Sequence, residues 1–236
     1  MLEPGSVVPA RLLTSVTPVP SAMPTASTMP TASTASTASA ASAASATPAD
    51  SIAGGAVPVH VPVPVPDPER LVHLQFRRFA GCPVCHLHLR SVVRRHAEIE
   101  AAGISEIVLF HSSAEELRPH IADFPFAVIA DPQQRLYREF GVESSPRSLL
   151  DPRAWGPVLW AIARSAVEVA RGRERLPAPR QPAGRLGLPA DLLIGPDGRV
   201  LAVKYGEHVY DQWSVDELLR LAAAARNSVG VRGTSA

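Results

Sequence analysis

Residues 71–102 limit what this chain can fold into more than any other stretch. Leu71-Val-His-Leu-Gln-Phe76 is a run of strand length, apolar on both faces near its middle, as a buried strand is. Phe79-Ala-Gly-Cys-Pro-Val-Cys85 follows and holds both cysteines of the 236-residue chain. From there to Ala102 the spacing predicts a helix, with Cys85, Leu89, Val92, Val93, His96 and Ile99 along one stripe. Arg90, Arg94 and Arg95 fall outside the stripe, and Gly103 is placed to cap the helix C-terminus. A Cys-x-x-Cys between strand and helix points to redox chemistry. A thiol in the first helical turn sits near unpaired backbone N–H groups and the positive end of the helix dipole, which favour the reactive thiolate. Two cysteines three apart share a helical face and can close a short disulfide.

Formal net charge is +1, so the total suggests neither a nucleic-acid partner nor an anionic membrane. Two cysteines cannot scaffold a secreted protein, and their close pairing suits a reducing compartment. No run of about 18 apolar residues is present, and Met1-Leu-Glu-Pro-Gly5 lacks the basic start and apolar core of a secretory signal. A cytoplasmic location without membrane attachment is the expectation. Zinc is the rival chemistry for Cys82, Cys85, His86 and His88. Four ligands within seven residues of one helix cannot easily surround a tetrahedral ion. Neither metal nor cofactor is expected.

Residues 1–66 are a different material. Met23-Pro-Thr-Ala-Ser-Thr-Met-Pro-Thr-Ala-Ser-Thr34 is a direct repeat that decays into Ala/Ser/Thr copies. Only Glu3, Arg11 and Asp50 carry charge, and no aromatic residue occurs. Such a segment has little apolar area to offset the entropy of ordering, so 1–66 is expected to be a disordered tail. Its end, Val57 to Pro66, alternates proline and favours a stiff, polyproline-like linker.

The domain is expected over 67–226, with a frayed end at 227–236. Strands are predicted at Glu106–His111 and Phe126–Ala130. Ser113-Ala-Glu-Glu116 has capping-box form, and Pro119 should stop the helix it opens. A helix over Gln133–Phe140 ends at Gly141. The strand–helix alternation from 71 to 141 predicts right-handed βαβ units and a partly parallel sheet. A helical insertion is expected at about 151–186. It comprises a helix over 152–171, with Trp155, Leu159, Ile162, Ala166 and Val169 at helical spacing, and then an Arg/Pro-rich loop. Its plain reading is a helix packed on the domain; its functional reading is a partner or dimer face. Leu188–Ile194 and Val200–Tyr205 flank Gly195-Pro-Asp-Gly198 as a hairpin. Ser214-Val-Asp-Glu217 opens a last helix to about Ala225.

The order of elements resembles the thioredoxin-like superfamily, and more closely the peroxiredoxin-like proteins of the AhpC/TSA group. The resemblance spans about 70–225. It rests on Phe79–Cys85, on Phe124–Pro132 followed by Leu136-Tyr-Arg-Glu-Phe-Gly-Val142, and on Leu188-Pro189 before Asp191–Val200. It implies an α/β, thioredoxin-like fold with a central mixed sheet flanked by helices. It also implies a cis-proline at Pro189, after Leu188, shaping a substrate groove beside the cysteines. Peroxiredoxins place Thr or Ser three residues before the peroxide-reactive cysteine and a proline four residues before that. Counted from Cys85, those places hold Cys82 and Arg78. Either Cys85 is the nucleophile with Cys82 resolving, or Cys82 is a thioredoxin-type nucleophile with Cys85 resolving. Arg77, Arg78 and Arg147 read as solvated surface charges, His86 and His88 as solvent-facing, and His111 as structural.

The expected function is a cofactor-free, thiol-dependent antioxidant oxidoreductase. It would act through Cys82 and Cys85 on peroxides or protein disulfides, with a thiol reductant such as a thioredoxin. A homodimer is among the assemblies the resemblance allows. The rival readings are a non-catalytic thioredoxin-fold binding module and a redox sensor.

Overall fold

The computed structural model describes residues 1–17, 61–142, 152–172, 175–176, 184 and 187–232. Its sheet has seven strands in the order β2-β1-β5-β4-β3-β6-β7. The first two are β1 (Arg11–Ser15) and β2 (Val61–Val65). They are followed by β3 (Leu71–Phe76), β4 (Ile104–Phe110), β5 (Ala127–Ala130), β6 (Ala190–Ile194) and β7 (Val200–Tyr205). Strands β3, β4 and β5 run parallel; on the far side of β3, β6 pairs antiparallel with it and β7 antiparallel with β6. This is the mixed α/β sheet, flanked by helices, that the element order predicts.

The helical pattern after the cysteines divides in two. Helix α1 covers Pro83–Arg94 and α2 covers His96–Ala101, with Arg95 out of helical geometry between them (φ −111°, ψ 17°). Helix α3 (Ala114–Leu117) carries the complete capping box: Ser113 Oγ accepts from the Glu116 amide and the Glu116 carboxylate accepts from the Ser113 amide. Pro119 lies in the 3-10 turn that follows. Helix α4 (Arg135–Glu139) is held at its start by Asp131, whose carboxylate accepts from the Arg135 and Leu136 amides at 3.0 and 2.8 Å.

Alternation along β3 divides the interior. Val72, Leu74 and Phe76 join Ile107, Leu109, Leu192 and Tyr137 on one face. Leu71 joins Ile104, Val108, Leu193 and the α1 residues Cys85, Leu89 and Val92 on the other. That second face also carries His73, Gln75, Glu106 and Asp191, all buried. The strand expected to be apolar near its middle therefore bears a buried polar stripe.

The chain before residue 66 is not a single disordered tail. Residues Met1–Val8 run along the hairpin, with Val8 N donating to Gly198 O and Val200 N to Ser6 O, both at 2.8 Å. Gly198 has φ +79°, and a Cβ there would stand 2.8 Å from Val8 O. Strand β2 is the Val-Pro run itself, paired antiparallel to β1 with Leu12 opposite Pro64 and Thr14 opposite Pro62. Proline lacks the N–H that a second neighbour would need, so this strand belongs at the sheet edge, with its prolines exposed and Val65 buried. The remainder of the tail expectation falls on residues 18–60, outside the described residues.

Two further expectations change. Helix α5 (Pro152–Ala170) forms as predicted, but turned outward. Trp155, Leu159, Trp160 and Ile162 are each more than half exposed, while Ala161 and Glu168 are buried. Small residues allow the close approach of α5 to α1, where Pro83, Leu87, Ala161 and Ser165 share a small cavity. Most of the Arg/Pro-rich loop lies outside the described residues. Helix α6 runs over Val215–Arg232, past the predicted end at Ala225 and into the stretch expected to fray. Among the described residues no helix is long and apolar enough to cross a membrane.

Candidate active site

The site is built where β3 ends and α1 begins. The turn between them is tight. Cys82 N donates to Phe79 O at 3.2 Å, and Gly81 takes φ +71°, a conformation that disfavours side chains. Cys82 is the N-cap of α1 and Pro83 the first helical residue, where a missing N–H costs nothing. Cys82 O then accepts the first helical bond, from His86 N at 2.9 Å. The loop is tied to the end of β4: His111 N donates to Arg78 O at 3.2 Å, and Ala80 N to Ser112 Oγ at 3.0 Å.

The two sulfurs face each other. The Cys85 S–H donates to Cys82 Sγ across 3.1 Å, and Arg78 Nη1 stands 3.8 Å from the same sulfur. Both cysteines are 2% exposed. Burial alone would raise the Cys82 pKa. The Cys85 S–H, the Arg78 charge and the backbone amides of Cys85 and Val84 outweigh it and lower the value to about 6. Cys85 moves the opposite way: burial, the bond it gives and the charge on Cys82 push its pKa well up. At neutral pH the pair is one thiolate and one thiol in contact. A disulfide needs the sulfurs about 2.05 Å apart, a short approach from 3.1 Å.

Arg78 is not the solvated surface charge expected; it is 4% exposed, its guanidinium 5.3 Å from the centre of the Phe79 ring. There it supplies a cation to Cys82. Arg77 is buried completely. Its Nη2 donates to Gln75 Oε1 at 2.5 Å, Asp191 Oδ1 at 2.6 Å and His88 Nε2 at 3.3 Å. His88, expected to face solvent, is buried. Burial and the Arg77 charge lower its pKa to about 3, so it is a neutral acceptor. His73 completes this network, between Glu106 at 2.9 Å and Asp191 at 3.2 Å. Burial would lower the His73 pKa, but the two carboxylates raise it to about 9. The network pins the underside of α1 to the sheet directly below the cysteines. Arg147 lies outside the described residues.

His111 ends β4 beside this loop, its ring 5.7 Å from Tyr137 and 6.5 Å from Phe79. Both its ring nitrogens are buried without a hydrogen-bond partner among the described residues. Gly187 lies against it: a Cβ there would come within 3.1 Å of His111 Nε2. The expected cis-proline is absent from this loop. Leu188–Pro189 is trans, and the cis bond among the described residues is Val65–Pro66. Pro189 directly precedes β6, where no ladder N–H is required of it, and its carbonyl accepts from Gly206 N at 2.9 Å. Among the described residues no three His, Cys, Asp or Glu side chains group to hold a metal ion.

Cys82 lines a narrow gap together with Gly81, His86, Leu89, His120 and Phe124. The gap adjoins a cleft of about 470 Å³ that Gly81, His86, His120 and Phe124 also line.

The arrangement has relatives. The sequence pattern of the AhpC/TSA antioxidant enzyme family matches residues 91–208, half of the chain, beginning just past the cysteines. No curated protein matches in sequence. Three solved structures show the same fold. Mycobacterium tuberculosis AhpC is 13% identical, with 97% of this chain and 95% of that one covered and a TM-score of 0.55. The peroxidoxin BcpB of the same organism is 14% identical, with coverage of 95% and 98% and a TM-score of 0.54. The reduced 2-Cys peroxiredoxin of Plasmodium vivax is 13% identical, with coverage of 72% and 74% and a TM-score of 0.51. On the family match and this fold, the chain belongs to the AhpC/TSA antioxidant enzyme family and is a peroxiredoxin-like, thiol-dependent oxidoreductase.

Proposed function

We propose that the protein reduces small peroxides, with Cys82 as the attacking thiolate and Cys85 as the resolving thiol. The observation that carries this is the asymmetry of the pair. Cys82 Sγ receives the Cys85 S–H at 3.1 Å and the Arg78 charge at 3.8 Å, whereas Cys85 is surrounded so as to stay protonated. The Cys82 thiolate attacks one peroxide oxygen. The O–O bond breaks, a Cys82 sulfenic acid forms, and the second oxygen leaves as an alkoxide or hydroxide that takes a proton. The Cys85 sulfur then attacks Cys82 Sγ, the S–O bond breaks, and water carries away the oxygen and the thiol proton. The product is a Cys82–Cys85 disulfide. Arg78 stabilises the negative charge before and during the first step.

Burial favours a peroxide over a protein disulfide as oxidant. Both sulfurs are 2% exposed, at the end of a gap, and disulfide exchange requires in-line access to sulfur. A peroxide passes where a protein loop does not. The test is a mass map of the reduced protein after one equivalent of hydrogen peroxide. A Cys82–Cys85 disulfide is expected; two free thiols would count against the proposal.

A further inference from the structure

Resting on that reading, we infer that the cleft beside Cys82 is a binding site for a low-molecular-weight anionic thiol, which reduces the Cys82–Cys85 disulfide directly. Three observations carry this. The first is access: any reductant must reach the same buried sulfur through the same gap, and this favours a small thiol over a protein disulfide loop. The second is size. About 470 Å³ is within the range of small-molecule sites. The third is charge. His86, Arg90 and Arg94 succeed one another at four-residue spacing along α1, forming one ladder that leads away from Cys82, and Arg175 also lines the cleft. Two carboxylates also line the cleft. Glu168 is paired with Arg171 at 3.2 Å, and Asp123 suits the ammonium group that a zwitterionic thiol carries. Phe124, Val93 and Pro119 add apolar surface to the lining.

The chemistry balances with two equivalents of thiol. The first thiolate attacks Cys82 Sγ, the sulfur that lines the gap. The S–S bond breaks and Cys85 leaves, taking up a proton. A second thiolate attacks the small-molecule sulfur of the mixed disulfide and expels the Cys82 thiolate, the better leaving group of the pair. The small disulfide departs, and the protein is reduced by two electrons. Arginines hold the anion through the first attack by charge-assisted hydrogen bonds.

The test follows re-reduction of protein whose disulfide was made with diamide, at matched thiolate concentrations of glutathione, coenzyme A and 2-mercaptoethanol. The anionic thiols should show saturating rates at least about tenfold above the neutral one. That ratio should fall about tenfold in the Arg90→Gln/Arg94→Gln double variant. Arg90→Lys/Arg94→Lys should fall between the two, and added salt should slow only the anionic thiols. Faster glutathione would assign a carboxylate ligand and faster coenzyme A a phosphate, both supporting the site. Equal, unsaturating rates for all three thiols would overturn it, as would a ratio unmoved in the double variant. Diamide oxidises the pair whether or not the protein reacts with peroxide. A flat thiol series therefore overturns this site alone, and a missing peroxide reaction overturns the peroxidase reading alone.

Discussion

Asp191→Asn should destabilise the fold severely, although the residue touches no cysteine. Asp191 is fully buried and answers two cations: Arg77 Nη2 at 2.6 Å and His73 Nε2 at 3.2 Å. Its second oxygen accepts from the Trp213 amide at 3.2 Å. With asparagine there, Arg77 keeps no carboxylate partner among these contacts, only Gln75 and His88, and a protonated His73 keeps Glu106 alone. Breaking a buried pair in this way costs about 3–5 kcal/mol, a large part of the total stability of a domain this size. The assay is urea unfolding at pH 7, where the midpoint should drop by about 2 M at an m-value near 2 kcal/mol/M. Asp216→Asn is the control, because that exposed carboxylate pairs with Arg95 in solvent and its loss should cost under about 1 kcal/mol. The same network sets a pH limit. The folded-state pKa of His73 is raised from 6.5 to about 9. Its contribution is therefore complete below about pH 6.5 and lost as pH rises through about 9, an amount near 3 kcal/mol. Asp191 acts at the other end: its lowered pKa contributes stability above the ordinary aspartate range and loses it in strong acid. A loss below about 1 kcal/mol in Asp191→Asn, with stability flat from pH 6.5 to 9, would refute this account of the buried network.

Three further outcomes are expected. Arg78→Gln should raise the Cys82 pKa by about one unit or more from about 6, followed by thiolate absorbance at 240 nm; an unmoved midpoint would remove Arg78 from the site. Gly198→Ala should cost about 2 kcal/mol or more in thermal unfolding, because the φ is +79° and the new Cβ meets Val8 O at 2.8 Å. An unchanged melting temperature would mean that the N-terminal segment leaves the hairpin readily. Ser113→Ala should cost about 1 kcal/mol through loss of the capping box, and a neutral result would show that α3 is held by its packing alone.

What the sequence makes legible is local. Leu71–Phe76, the capping box at Ser113, the Gly195–Gly198 turn and the cysteine helix each depend on residues within a few positions of one another, and each forms close to where it is read. What it hides depends on distant partners. The Val-Pro run becomes β2 only because Arg11–Ser15 supplies a strand about fifty residues earlier. Arg77 looks solvated until Asp191, 114 positions on, is placed beside it. Arg78 had a fainter signal: an arginine two residues after a wholly buried strand and four before a helix-capping cysteine is held close to the site. The apolar stripe of α5 misleads because helical spacing shows that a face exists, not which way it turns; Ala161, not Trp155, faces the domain. Pro189 shows the limit of a resemblance, since the Leu-Pro dipeptide is present but its bond is trans.

The most direct test of the central claim is the stopped-flow rate of oxidation by hydrogen peroxide across pH 4.5–9, for wild type, Cys82→Ser and Cys85→Ser, with sulfenic acid trapped. The wild-type rate should rise through about pH 6 and then level, as the Cys82 thiolate forms. Cys82→Ser should abolish the fast reaction, and Cys85→Ser should retain a fast step that leaves sulfenic acid on Cys82. A fast reaction that survives in Cys82→Ser and disappears in Cys85→Ser would contradict it.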